Sequence, residues 1–157
     1  MLLTVNEFFD SGVPVSNDIS TERVQLAINT IEGVYLKSCL GQENYLDLLN
    51  SPTSATNYIL LNGGVLDEKS YVGLKTAIAY MVWCWLVTNS YTLTRYGGVV
   101  KSSEYSDNKD RIDVDDLMFT ARRNWEMAIQ IVKEVMLYYN LDITHNIGPD
   151  VFNTIVY

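Results

Sequence analysis

Histidine is almost missing from this 157-residue sequence, and cysteine nearly so. The one histidine, His145, stands between Thr144 and Asn146 with no nucleophile motif beside it, so no general base is poised for chemistry at neutral pH. Cys39 and Cys84 lie in separate apolar stretches with no CxxC pair, which excludes a zinc site within one chain. Both are expected to be small hydrophobic residues in a reducing compartment. Long apolar runs are lacking too: Ala77 to Val87, AIAYMVWCWLV, is free of charge but far shorter than the roughly 20 residues that cross a bilayer. Basic residues are few, 11 against 19 acidic, and the net charge of −8 argues against a nucleic-acid-binding face or attraction to an anionic membrane.

Other signatures are incomplete. The opening MLLTVNEFFD has no basic segment before its apolar residues, so no signal peptide is expected. Asn62-Gly63-Gly64 and Tyr96-Gly97-Gly98 lack the lysine that follows a phosphate-binding loop and are turns. Asp107, Asp110, Asp113, Asp115 and Asp116 miss the spacing of a calcium loop; a solvated loop running into an acidic helix start accounts for them. The expectation is no metal, no cofactor and no enzymatic activity, the one remaining route to catalysis being carboxylates that converge from different helices.

What is present is helical patterning. Hydrophobic residues make up 48% and include eleven tyrosines, whose apolar ring and polar tip suit helical cores and protein interfaces alike. The length is that of one domain. A short turn capped by Thr4, with Val5, Phe8 and Phe9 as its apolar face, precedes a break at Ser11-Gly12-Val13-Pro14. Ser20 caps the first full helix, which carries Val24, Ala27, Ile28, Ile31, Val34, Tyr35 and Cys39 to Gly41; Gly33 within it predicts close approach of another helix. A second helix covers Gln42 to Asn50 and stops at Ser51-Pro52, and a third, short one covers Thr56 to Leu61. Asp67 caps the most apolar helix, from about Glu68 to Tyr91, in which Trp83 and Trp85 point about 200° apart, so that one of them faces beyond a single stripe of core. The polar stretch Tyr96 to Arg111 is long for a connection inside a compact domain, and Val99-Val100 suggests a short hairpin. The last helix starts near Asp113 with Met118, Ala121, Trp125, Ala128, Val132, Val135 and Tyr139 as its seam. Beyond Asn140, a tail interrupted by Gly148-Pro149 ends in the β-prone Val151 to Tyr157.

The fold class is therefore all-α: four to five helices in a bundle over residues 1–140, a long polar loop, and an extended tail over residues 141–157. With no catalytic constellation, the chain is expected to act by binding protein.

The order of these elements resembles a known group. The helix ending in Leu40-Gly41, the run Glu43-Asn44-Tyr45-Leu46-Asp47-Leu48-Leu49, the apolar helix from Tyr71, the loop Thr94-Arg95-Tyr96-Gly97-Gly98-Val99 and the aromatic Trp125 within the last helix together resemble head-tail connector (adaptor) proteins of tailed bacteriophages, most of all the ring proteins of crAss-like phages. The resemblance covers about Thr4 to Tyr139. It implies a non-enzymatic virion subunit, assembled in the host cytoplasm into a ring of about twelve copies, that docks on the portal and extends the DNA channel towards a tail or stopper protein. In that setting the helix apolar on several sides, with Trp83, Trp85 and Trp125, packs against neighbouring subunits. Gly97, Gly98, Val99, Lys101, Glu104 and Tyr105 reach the adjacent ring or the channel, and Val151, Phe152, Ile155, Val156 and Tyr157 add to the portal or a neighbour. Net acidity lets DNA pass without being held. The alternatives are another tail-completion protein of the virion and, outside that class, a helical regulatory or ligand-binding domain.

Overall fold

The structure, a computed structural model, describes residues 1–13, 19–89, 91–93, 99–101 and 114–144, with side chains for all of these except 91–93, 99–101 and 114–117. The chain is mostly helical: α1 Val5–Asp10, α2 Thr21–Thr30, a π-helical turn Ile31–Leu36, α3 Lys37–Asn50, α4 Ala55–Asn62, α5 Leu74–Thr88 and α6 Val114–Tyr138. To these the structure adds two antiparallel hairpins, β1 Gly64–Leu66 with β2 Lys69–Tyr71, and β3 Tyr91–Leu93 with β4 Val99–Lys101. The all-α expectation thus holds for the body of the chain and missed the first hairpin.

Local chemistry sets the helix ends. Thr4 and Glu7 form a reciprocal capping box, with the Thr4 amide donating to Glu7 Oε2 at 2.8 Å and the Glu7 amide to Thr4 Oγ1 at 3.2 Å. Ser20 and Ser54 cap α2 and α4 by accepting from Arg23 and Asn57 amides. At Gly41, φ is +77°, a value glycine adopts without strain, and it separates two helical directions within α3. Asn57 fastens α4 to the end of α3: its buried amide donates to Asp47 Oδ2 at 3.0 Å and to the Ser51 carbonyl at 3.1 Å.

Between α2 and α3 the chain carries one residue more than a regular helix needs, taken up as a wider π-helical turn. Core positions step from Ile28 and Ile31 to Leu36 and Leu40, so the buried side moves off Tyr35 and Cys39, which the regular period selects but which are only half-buried. Gly33 points into open space, and the expected close helix approach is not there.

Two expectations around α5 are corrected. Asp67 does not cap it: Asp67 and Glu68, at φ +49° and +63°, are the two turn residues of the β1–β2 hairpin, a pair of left-handed conformations that matches the twist of the strands. The helix begins only at Leu74 and ends at Thr88, where the Asn89 side chain donates to the Trp85 carbonyl at 2.8 Å; Tyr91, expected within it, pairs in β3. The hairpin base is tight: a methyl group on Gly73 would lie 2.5 Å from the Gly63 nitrogen, and one on Gly63 2.6 Å from the Val72 carbonyl oxygen.

Leu74, Ala77, Ile78, Met81, Val82 and Leu86 place α5 in the middle of the core, with α6 as its main partner. The two run antiparallel, since Cys84 Sγ lies 3.1 Å from the Ala121 carbonyl while Tyr71, just before α5, feels the charges of Glu134 and Tyr138. The α6 seam is as the spacing predicts: Ala121, Trp125, Ala128, Val132 and Val135 are buried.

Candidate functional site

The most concentrated polar arrangement among the described residues surrounds Glu32, a carboxylate only 3% exposed in the π-helical turn. Ile28 lies one helical turn before it, so the α2 face that buries Ile28 turns Glu32 inward as well. The Leu2 amide donates to both of its oxygens at 2.9 Å, the Leu3 amide to Oε1 at 2.9 Å, and the Tyr45 hydroxyl to Oε2 at 2.9 Å. A charge held away from water is tolerated when its lone pairs are filled by donors, and these donors fill them. Burial, then the hydrogen bond and the negative charge of Glu32, push the Tyr45 phenol far above its usual range, so the hydroxyl remains a donor.

The result is an anchored N-terminal strap. Leu2, Leu3 and Phe8 are core residues, and Glu7 makes an ion pair with Lys75 of α5 at 2.5 Å. The Glu7 carboxyl is opposed by its burial, but the bonds from Lys75 and Thr4 outweigh this and lower its pKa. Of the apolar face expected for α1, Phe8 is buried and Phe9 is exposed. The sequence contained a signal for Glu32, a carboxylate four residues after a core isoleucine; for Leu2 and Leu3 it contained none beyond their apolar character.

This arrangement binds chain; it does not suggest a reaction. Its carboxylate is saturated by donors, and among the described residues no three His, Cys, Asp or Glu side chains gather as a metal site would need. Burial raises the Cys39 thiol to about 11 and Cys84 to about 12, far from the thiolate a nucleophile requires.

The tryptophans assigned to subunit packing divide. Trp83 and Trp125 are buried in the chain's own core, Trp125 edge-on to Tyr35 with ring centroids 5.3 Å apart, whereas Trp85 is half-buried and retains exposed surface. Val99 and Lys101 lie in β4. Gly97, Gly98, Glu104 and Tyr105, the aspartates at 107, 110 and 113, and the tail residues Val151, Phe152, Ile155, Val156 and Tyr157 lie outside the described residues.

The outer face of α6 is charged, with exposed Arg122, Arg123, Glu126 and Glu134, and carries single large apolar residues among them that the sequence reading passed over. Phe119 is 70% exposed and Leu137 54%. Being 18 residues, or five turns, apart, they share one side of the helix, about 27 Å from end to end and opposite the buried seam. Met127 is exposed between them. No helix among the described residues is long and apolar enough to cross a membrane.

No curated protein and no solved structure matches the chain. One family model does, over residues 36–140, from the last residue of the π-helical turn to just past α6. The chain belongs to that family, DUF6712, a family of unknown function.

Proposed function

We propose that this chain is a structural subunit of a tailed-phage virion, a head-tail connector that assembles side by side with identical copies, docks on the portal and extends the DNA channel towards the tail. What supports the protein-binding part is a face of α6 that carries the exposed Phe119, Met127 and Leu137 singly among charged residues, on a chain whose core is already filled by its own residues. A heterologous ring interface covers such a face with a different surface of the next subunit. The narrower assignment to a connector rests on the order of Leu40-Gly41, Tyr45-Leu46, Thr94 to Val99 and Trp125, and on a net charge of −8 that lets DNA slide past.

In this reading residues 1–140 form the helical bundle, the loop Gly97 to Asp110 reaches the adjacent ring or the channel, and Val151 to Tyr157 dock on the portal by strand addition or in a groove. Light scattering and negative-stain images test it. Rings of about twelve, alone or on purified portal rings, are the expected result; a monomer with no affinity for portal rings overturns the assignment. Removing residues 151–157 is expected to weaken portal binding, and unchanged binding refutes the role given to the tail.

A further inference from the structure

The β1–β2 hairpin has both of its outer edges unpaired among the described residues. Its inner face is seated on the body: Tyr71 is buried, and a methyl group on Gly64 would lie 3.4 Å from the Ile59 side chain. Strand alternation puts Val65, Ser70 and Val72 on the other face, and all three are exposed. No charged residue lies between Asp47 and Asp67, so α4 and β1 bring no charge to this face in a chain whose net charge is −8. Charges begin at the tip, where Asp67, Glu68 and Lys69 are exposed and, among the described residues, form no ion pair. Leu66 and Lys69 flank the two-residue turn as a hydrogen-bonded pair, which directs the amide and carbonyl of Val65 outwards on one edge and those of Ser70 outwards on the other. Two strands of three residues are marginal alone, and further strands are the usual remedy. The close backbone contact of Gly63 with Gly73 already fixes the direction of the hairpin, so pairing requires little further ordering.

We propose that these two edges are an interaction surface for a second copy, β2 of one chain pairing antiparallel with β1 of the next. The edges complement each other in direction and in charge. Copies related by rotation about a ring axis present their hairpins in the same sense, so β1 and β2 alternate around the ring and each new contact is antiparallel. In-line pairing would set Glu68 opposite Asp67 of the next copy, like charge against like. A stagger of two residues keeps every side chain on its own face and sets Lys69 opposite Glu68 and Val72 opposite Val65, an ion pair beside an apolar pair of β-branched residues. The inference rests on the reading that copies assemble side by side.

The test uses full-length chains in which Cys39→Ser removes the half-buried thiol and buried Cys84 is kept. One preparation carries Val65→Cys and the other, isotope-labelled, Val72→Cys. Equal amounts are mixed as single chains, assembled and gently oxidised, and the disulfide-linked pairs are sorted by mass. Mixed pairs should exceed like pairs about tenfold, because the head-to-tail contact brings position 65 to position 72 and never to another 65. Lys69→Glu should raise the concentration needed for assembly about tenfold, and adding Glu68→Lys to the same chain should restore it. A concentration that neither change moves overturns the proposed pairing. So does assembled material whose disulfides are mostly like pairs, or that forms none, and both results leave the connector reading standing. Chains that light scattering shows to remain single, with and without portal rings, overturn both.

Discussion

Residues 21–50 and helix α6 both bury one apolar side, but by different means. In α6 the buried positions follow an unbroken alternation of three and four residues, and the helix is regular from Val114 to Tyr138. In the first stretch one surplus residue is absorbed by a π-helical turn and Gly41 redirects the chain ten residues after Ile31, so its buried side is assembled from three short pieces. Regularity makes α6 intolerant of a change in length. The irregular stretch has a place to accommodate one, in the turn that carries Glu32.

Single-residue deletions should break this comparison most clearly. Removing the exposed Glu126 forces one half of α6 to rotate by about 100° relative to the other. Whichever half shifts, either Lys133 takes the place of buried Val132 or Asn124 that of buried Trp125. The expected result is loss of most of the ~5–15 kcal/mol that holds such a domain together, seen as the absence of a cooperative urea transition. Glu32→Gln should come next, at about 2–3 kcal/mol, because amides of the strap lose a buried acceptor. Hydrogen exchange at Leu2 and Leu3 should then accelerate more than exchange in α6.

Deleting Gly33 should cost least of the three. It faces open space, and its loss leaves Ile31, Leu36 and Leu40 at regular four-residue steps, so the π-helical turn relaxes to α-helix. Stability is expected to change by within about 1 kcal/mol, part of it a gain from removing a poor helix former. A change several times larger would mean that the π-helical turn is required for the fold.

The two cysteines provide the smallest contrast, Cys39 in the irregular stretch and Cys84 in α5 against the Ala121 carbonyl of α6. Both thiols ionise above the ordinary value of 9.0, Cys39 at about 11 and Cys84 at about 12, so the folded chain keeps protons that the unfolded chain has lost. Below pH 9 these groups add no pH dependence; between pH 9 and about 12 stability falls as pH rises. Melting curves across that window should show the decline. At pH 8, half-buried Cys39 is expected to be alkylated before buried Cys84.

How far the sequence could be read follows the same contrast. The α6 seam was legible because no second apolar set competes with it. Ser20, Gly41 and Ser51-Pro52 were legible because caps and breaks depend on local chemistry. Tyr35 and Cys39 against Leu36 and Leu40 could not be resolved: two apolar sets lie one residue apart, and packing against α5 and α6 chooses between them. The first hairpin left little trace, as its strands have three residues each and its turn is Asp67-Glu68, without the glycine or asparagine usual at such conformations. Aromatic content alone could not separate Trp83 and Trp125, which fill the chain's own core, from Trp85, which retains surface.

The tight pairing of Gly63 with Gly73 bears on mechanics. With backbone against backbone on both sides of the β1–β2 hairpin, no side chain can yield there, and α4, the hairpin and the start of α5 behave as a single stiff elbow. A displacement of the exposed hairpin tip is therefore passed to the start of α5 and not taken up by side chains at the hairpin base.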